Sequence, residues 1–163
     1  MASPSAVAVR LQFEKPPSIR SISTTRRFVE DLCSPIVGSD VAAVLAMVVH
    51  ELMENLTKYA DDAPVELALN LGHRDVCIAT TNTAEQQQLA KLDELLTEIA
   101  KSSDPRATFQ TFIGRSVEED VGSRLGLARI RAEGGMELHW VVHGTAVTIR
   151  AEARLPMETS DGH

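Results

Sequence analysis

One long apolar segment, "VAAVLAMVVHELMENLTKYA" at residues 41–60, constrains the fold of this chain more than any other stretch. Its unbroken apolar run, "VAAVLAMVV", is far shorter than the roughly 20 residues that a membrane-spanning helix needs, so the segment predicts a helix in a globular core. At about 100° per residue, its larger apolar side chains fall on one arc. Ser39 and Asp40 precede the helix and are candidates for its N-cap. The residues of the apolar arc are Val41, Val44, Leu45, Val48, Leu52 and Leu56.

Three polar side chains interrupt or border that arc. Asn55 projects inside it, and Glu51 and Lys58 lie at its edge. A buried polar group without a partner costs about 1 to 3 kcal/mol, so Asn55 must find hydrogen-bond partners or face a cavity. One interpretation is structural, with Asn55 satisfying a buried backbone group and Glu51 a solvated charge at the rim. The other interpretation is that these residues line a ligand pocket.

The sequence before this helix predicts one strand and one helix. "AVAVRLQFEK" alternates apolar and polar residues as a half-buried strand does. A helix follows in "SIRSISTTRRFVEDLCSP", and we expect it to stop before Pro35. The side chains that this helix is expected to offer to the core are Ile19, Ile22, Phe28, Val29 and Leu32.

The sequence after the long helix predicts two hairpins with helices between them. "VELALNLGHRDVCIATTNT" contains two strand-like runs around a Gly-His-Arg turn, and "MELHWVVHGTAVTIRAEARL" predicts a second hairpin that turns at His143 and Gly144. Between them lie a helix in "AEQQQLAKLDELLTEIAKSS", a short helix in "DPRATFQTFIGRSVEEDVG" and a helix in "RLGLARIRAEGG". The first of these three helices has an apolar side formed by Leu89, Leu92, Leu95, Leu96 and Ile99.

This order of elements predicts an α+β fold, a two-layer sandwich in which helices cover one face of a mainly antiparallel or mixed sheet. At 163 residues the chain has the size of a single domain, which we expect to span residues 1–155. Residues 156–163 are polar and are expected to form a disordered tail.

The charge balance argues against some classes of partner. A formal net charge of -7 and a pI near 5.2 disfavour binding to nucleic acid or to an anionic membrane, because either needs a basic surface. Cys33 and Cys77 are too few for a disulfide scaffold and lack metal-ligand spacing, so we expect reduced thiols. The sequence does not begin with a basic region followed by an apolar stretch, and a cytoplasmic location is therefore expected.

A second motif, "GSRLGLARI" at residues 122–130, places Gly122 and Gly126 just before a predicted helix. Backbone N–H groups at the start of a helix have no partner within it, and together with the helix dipole they can receive a phosphate. By itself, a pair of glycines before a helix is more often a turn or a cap. The motif is informative because it follows the helix that carries Glu51 and Asn55.

In this order, "HELMENLTKYA" and "GSRLGLARI" resemble the N-box and the glycine-rich box of the GHKL (Bergerat-type) ATPase fold, which occurs in histidine-kinase catalytic domains and in anti-sigma-factor serine kinases. The resemblance covers most of the chain. It implies binding of ATP and Mg²⁺, with Asn55 on the metal and Glu51 activating the attacking group. It places Lys58 and Tyr59 near the phosphates. The nucleotide-binding residues that it implies in the second motif are Gly122, Arg124, Leu125 and Gly126.

The sequence departs from that family between the two boxes. The family pattern there is Asp-x-Gly-x-Gly, whose aspartate binds the adenine amino group, whereas this chain has "TNTAE" with Asn82 and Ala84 in place of the aspartate and the first glycine. Asn82 could accept a hydrogen bond from adenine through its carbonyl, but it supplies no charge. Arg124 replaces a glycine of the second box. Arg115 and Arg124 are candidates to clamp the γ-phosphate or, as the alternative, to pair with Glu118, Glu119 or Asp120.

The helix after "TNTAE" and the segment "DPRATFQTFIGRS" resemble most closely the SiaB-like family, small regulators of this fold that phosphorylate an antagonist-type partner. Three functions stay open. The first is a serine/threonine protein kinase that acts on an antagonist-type partner in a partner-switching pathway, which Glu51 and Asn55 favour. The second is a binding module that sequesters a sigma factor or an antagonist without catalysis, which Asn82, Ala84 and Arg124 favour. The third is a homodimer that uses the fold as a scaffold.

Overall fold

The described part of the chain folds into five strands and five helices. A computed structural model describes residues 7–116 and 122–156, except for the side chains of residues 116 and 122–124. The strands are β1 (Val7–Phe13), β2 (Val65–Leu71), β3 (Asp75–Thr83), β4 (Glu137–His143) and β5 (Ala146–Arg154). The helices are α1 (Ile19–Val37), α2 (Ser39–Tyr59), α3 (Gln86–Lys101), α4 (Pro105–Ser116) and α5 (Gly122–Ala132). None of these helices is both long and apolar enough to cross a lipid bilayer.

The five strands form one sheet in the order β1-β2-β3-β5-β4, and each neighbouring pair is antiparallel. Both predicted hairpins are present, β2 with β3 and β4 with β5. Along β2, β3 and β5 alternate side chains are buried, among them Leu67, Ile78 and Ile149, and the side chains between them are more exposed. Helices therefore cover one face of the sheet, and the predicted two-layer α+β sandwich is confirmed.

Helix α2 lies inside the helical layer, in contact with α1, α3, α5 and β3. Its buried side chains are not confined to the predicted arc, because Val49 and Met53 are fully buried together with Leu45. A helix that is apolar on most sides is typical of a core position. Glu51 and Asn55 are consequently buried as well.

A single residue, Gly38, joins α1 to α2. The prediction that α1 stops before Pro35 is wrong, because the helix continues to Val37. A proline in the last turn removes only one backbone donor, and the N–H of Gly38 closes the helix by donating to a carbonyl four residues earlier (2.9 Å). Gly38 has φ +88°, where glycine is favoured, and α2 begins directly after it. Ser39 and Asp40 therefore lie inside α2 and are not its N-cap.

The side of α1 that faces the core differs from the predicted side. Ile19 and Phe28 are 83% and 46% exposed, so their assignment to the core is wrong. The hydroxyl of Thr25 donates to the carbonyl of Ser21 (2.8 Å), which allows this polar residue to be buried. A sequence pattern of large apolar residues cannot identify a face that includes threonine and cysteine. The buried side chains of α1 are Ile22, Thr25, Val29 and Cys33.

The prediction for α3 is confirmed in both its type and its apolar side. The helix spans Gln86–Lys101, within the predicted segment. The expected tail lies outside the described residues apart from Pro156. The buried residues of α3 are the five that the periodicity indicates, Leu89, Leu92, Leu95, Leu96 and Ile99.

Replacing Leu96 by alanine should lower the free energy of unfolding by about 2 to 5 kcal/mol, because the side chain is fully buried and its removal leaves a cavity. The matched control Ile19→Ala removes a similar side chain from a position that is 83% exposed. It should change the free energy of unfolding by less than about 0.5 kcal/mol. Urea denaturation followed by circular dichroism measures both values, and equal losses would contradict the assignment of α3 to the core.

Candidate functional site

The carboxylate of Glu51 lies between α2 and α5. Glu51 is 8% exposed, so the interpretation of this residue as a solvated rim charge is wrong. A Cβ atom added to Gly126 of α5 would overlap Oε2 of Glu51, which means that the carboxylate packs directly against the backbone of Gly126. Gly126 therefore leaves room for Glu51 inside the contact between the two helices.

A cation of α5, Arg129, holds the other oxygen of Glu51. Nη1 of Arg129 lies 3.1 Å from Oε1 of Glu51, and its Nε donates to Glu133. The hydrogen bond to Glu133 is the largest cause of a raised Arg129 pKa, and Glu51 adds to it, so the guanidinium stays charged. Arg129 was not predicted as a site residue, because it lies 78 positions from Glu51 and no local motif links the two.

The side-chain amide of Asn55 has no hydrogen-bond partner among the described residues, although the residue is only 3% exposed. Both Oδ1 and Nδ2 are buried without a partner. The interpretation in which Asn55 satisfies a buried backbone group is therefore wrong. An unsatisfied buried amide costs about 1 to 3 kcal/mol, and such a group in a native structure indicates a missing partner.

A second buried polar atom without a described partner is Oγ1 of Thr80, which is 1% exposed. Thr80 lies on β3, on the same face as Ile78, and β3 contacts α2. Thr80 was not predicted as a site residue. The alternation along β3 does indicate that it is buried, because Thr80 follows Ile78 at the two-residue spacing of inward-facing side chains. Two elements in contact thus each carry an unsatisfied polar group.

The glycine-rich motif is helical and does not precede a helix as predicted. Helix α5 begins at Gly122, and Gly126 lies in its second turn. The N–H groups of α5 that have no partner within the helix are those of Gly122, Ser123 and Arg124, and such groups can receive a phosphate. Leu125 is half-buried and packs against the core, and the side chain of Arg124 lies outside the described part.

The candidate adenine residue, Asn82, lies at the end of β3. It is 3% exposed, and its Nδ2 donates to the carbonyl of Thr83 (3.1 Å). It lines a cleft of about 550 Å³ at this end of the sheet. The family resemblance implies one nucleotide site for Asn82, Glu51, Asn55 and Gly126. This stays a prediction, because only Asn82 of these four lines that cleft in the described part of the chain.

The segment that replaces the family's Asp-x-Gly-x-Gly pattern runs directly from β3 into α3. Ala84 is buried, and its N–H donates to the carbonyl of Thr145 in the turn between β4 and β5 (2.9 Å). Helix α3 then begins at Gln86. The chain therefore has no room for a glycine-rich loop at this point.

The remaining candidates lie near the ends of α2 and α4. Lys58 is exposed and Tyr59 half-buried in the last turn of α2. The N–H of Asp61 donates to the carbonyl of Thr83 (2.8 Å), so this end of α2 lies at the Asn82 end of β3. Arg115 of α4 contacts Glu98 of α3 (3.1 Å), a partner that was not predicted, and the carboxylates expected to pair with it, at residues 118–120, lie outside the described residues.

Replacing Gly126 by alanine should force Glu51 out of its position beside Arg129. At an unhindered helical position this change gains up to about 1 kcal/mol, so the control Gly114→Ala, with open space around it, should not destabilise the chain. Gly126→Ala should be less stable than that control by about 1 to 3 kcal/mol. Removing the obstructing carboxylate with Glu51→Ala should abolish this difference in the double variant. Urea denaturation measures each value, and additive effects would contradict the contact.

Comparison with solved structures identifies a protein chain of the same fold. No protein-family model matches this chain, and no curated protein matches it. A chain in the crystal structure of the SiaB-SiaC complex from Pseudomonas aeruginosa is similar to it, with a TM-score of 0.67 and 17% sequence identity over 88% of each chain. At this identity the likeness concerns the fold alone. The chain therefore has a fold that also occurs in the SiaB-SiaC complex.

Proposed function

We propose that this chain is an ATP-binding regulatory protein of a cytoplasmic partner-switching pathway, and that it phosphorylates a serine or threonine of an antagonist-type protein partner. The buried amide of Asn55, without a partner among the described residues, carries the proposal. It lies one helical turn from the buried carboxylate of Glu51. Phosphoryl transfer uses both kinds of group, one to hold the metal and the other to orient and deprotonate the attacking hydroxyl.

The chemistry of the groups around α2 fits ATP and Mg²⁺. The Oδ1 atom of Asn55 is a hard oxygen ligand of the kind that Mg²⁺ prefers. Bound Mg²⁺ neutralises charge on the transferring phosphoryl group. The N–H groups at the start of α5, those of Gly122 to Arg124, would receive the phosphates at the positive end of the helix dipole. Arg124 lies in the same turn and would add a positive charge.

The end of β3 and the end of α2 would complete the nucleotide site. Since Nδ2 of Asn82 donates to Thr83, its Oδ1 would be the atom that accepts a hydrogen bond from adenine. Lys58 and Tyr59, in the last turn of α2, would lie toward the phosphates. A neutral amide makes a weaker hydrogen bond than the aspartate of the family pattern, so ATP should bind weakly.

Arg129 restrains the group that would act as the base. Oε1 of Glu51 already accepts a hydrogen bond from Nη1 of Arg129, so Glu51 would have to separate from Arg129 before this oxygen could accept the proton of a hydroxyl. Glu133 makes this separation less costly, because it continues to pair with Arg129 when Glu51 leaves. The proposed reaction therefore includes a rotation of one carboxylate side chain.

A sequestering module is the second candidate. The ion pair of Glu51 and the hydrogen bond of Ala84 to Thr145 favour it, because neither needs a nucleotide. Both candidates include a protein partner, and the related fold was solved in a complex of SiaB with SiaC. They differ in whether the partner gains a phosphate.

Replacing Asn55 by leucine should have opposite effects on stability and on nucleotide binding. Without ligand, the free energy of unfolding should rise by about 1 kcal/mol or more, because an unsatisfied buried amide is replaced by an apolar group of similar size. The wild type should gain about 2.7 kcal/mol when Mg²⁺-ATP is present at a hundred times its Kd. Asn55→Leu should gain nothing.

Urea denaturation and thermal unfolding, each with and without Mg²⁺-ATP, measure these effects. Asn70→Leu is the matched control, since Asn70 is exposed on β2, and it should keep the response to nucleotide. A wild type that does not respond to Mg²⁺-ATP would refute nucleotide binding. A response that survives in Asn55→Leu would refute the role of Asn55.

Replacing Glu51 by glutamine should preserve ATP binding but slow phosphorylation of the partner by about 10²-fold or more, the scale of losing a general base. The matched control is Glu54→Gln on the same helix, where the carboxylate pairs with His50 and should not affect the rate. Partners captured with the wild type are incubated with radiolabelled ATP, and phosphate incorporation is followed over time. If the wild type transfers no phosphate to any captured partner, the sequestering module is the better description.

A further inference from the structure

The β4 edge of the sheet is open within the described structure. β4 pairs with β5 on one side, and no described strand pairs with its other side. Sheet edges are usually protected from further pairing by lysine, proline or a bulge. The sequence of β4, "ELHWVVH", contains no lysine, arginine or proline, whereas the opposite edge strand β1 carries Arg10. Val141 and Val142 of β4 are 58% and 42% exposed.

The turn after β4 determines which of its backbone groups point outward. A two-residue turn, Gly144–Thr145, connects β4 to β5, and its glycine has φ +64°. In a hairpin with a two-residue turn, the pair of residues that closes the turn exchanges two backbone hydrogen bonds, and every second pair along the two strands does the same. Here the closing pair is His143 and Ala146. The residues whose N–H and C=O groups point away from β5 are therefore Leu138, Trp140 and Val142.

We propose that β4 pairs in antiparallel orientation with β4 of a second copy of this chain, centred on Trp140. In this register Trp140 lies opposite the same residue of the second copy, and Leu138 lies opposite Val142. Each outward-pointing N–H and C=O group then meets a partner. A shift to the next permitted register moves the strands by two residues and leaves groups at both ends unpaired. The sheet becomes continuous across the two copies.

Side-chain chemistry supports a second copy as the occupant of this edge. In the centred register Glu137 lies opposite His143, and the symmetry repeats this complementary pair at the other end of β4. Glu137 is available, because its side chain is 68% exposed and contacts Arg131 only at 3.5 Å. On the helix-covered face the opposed side chains are apolar. A strand that complements itself in this way favours a homodimer over an unrelated strand.

Sedimentation equilibrium over a range of protein concentrations tests the dimer. Val142→Lys places a charge opposite Leu138 and should raise the dissociation constant at least about tenfold, which corresponds to 1.4 kcal/mol. The matched control Ile19→Lys introduces the same charge at an exposed position of α1 and should leave the dissociation constant unchanged. A wild type that stays monomeric, or a dimer that only Ile19→Lys weakens, would overturn the proposal.

Two further measurements test the register, and neither depends on nucleotide binding. His143→Glu should weaken the dimer by placing two carboxylates opposite each other, and the double variant His143→Glu with Glu137→Arg should restore it. In hydrogen exchange, the amides of Leu138, Trp140 and Val142 should become protected as the concentration rises, whereas those of Val141 and His139 are already protected by β5. Failure of the double variant to recover, or concentration-independent exchange, would overturn the proposed pairing.

Discussion

The burial of α2 on several sides determines both how this chain folds and where its polar residues lie. α1, α3, α5 and β3 contact this helix, so Glu51 and Asn55 cannot turn toward solvent and each needs compensation inside the protein. Arg129 compensates Glu51 through an ion pair that crosses from α5. No described residue compensates Asn55. The same packing that stabilises the core therefore buries the amide of Asn55 without supplying a partner for it among the described residues.

The fold was predictable from the sequence wherever one periodicity dominated. The buried leucines of α3 repeat at helical spacing, so both its type and its buried side were predicted correctly. The two strand-like runs on either side of the Gly-His-Arg turn were predicted correctly as a hairpin. The prediction for α1 failed because its core side includes Thr25 and Cys33, while Ile19 and Phe28 are exposed. Its end was also misplaced, since Pro35 in the last turn costs only one hydrogen bond. The size and polarity of a single residue therefore indicate whether it is buried less reliably than its packing against a neighbouring helix does.

The candidate site was predictable only in its local part. The phase of Asn55 on its helix indicated a buried amide, and this follows from sequence spacing alone. Arg129 and the contact of Gly126 with Glu51 depend on how α5 packs against α2, and no spacing within either helix encodes that approach. Gly126 was expected to admit a phosphate, but the atom that excludes a Cβ there belongs to Glu51. The same glycine pattern can therefore arise because a phosphate approaches the backbone or because a side chain of a neighbouring helix packs against it.

Two free energies bear on the choice between the kinase and the sequestering module. One is the cost of an unpaired Asn55 amide, and the other is the cost of separating Glu51 from Arg129. A buried amide without a hydrogen-bond partner costs about 1 to 3 kcal/mol, so Asn55 needs a partner, either a ligand or an ordered water. Separating Glu51 from Arg129 leaves a carboxylate whose side chain is only 10% exposed without its cation, and losing one partner of a buried pair costs about 3 to 5 kcal/mol. A cost of that size would slow a reaction by about a hundredfold or more unless Mg²⁺ or the substrate compensates the carboxylate, since 1.4 kcal/mol corresponds to a factor of ten. The ion pair therefore argues against catalysis by Glu51 as long as the pair is intact, whereas the buried amide of Asn55 argues for a bound partner at that position.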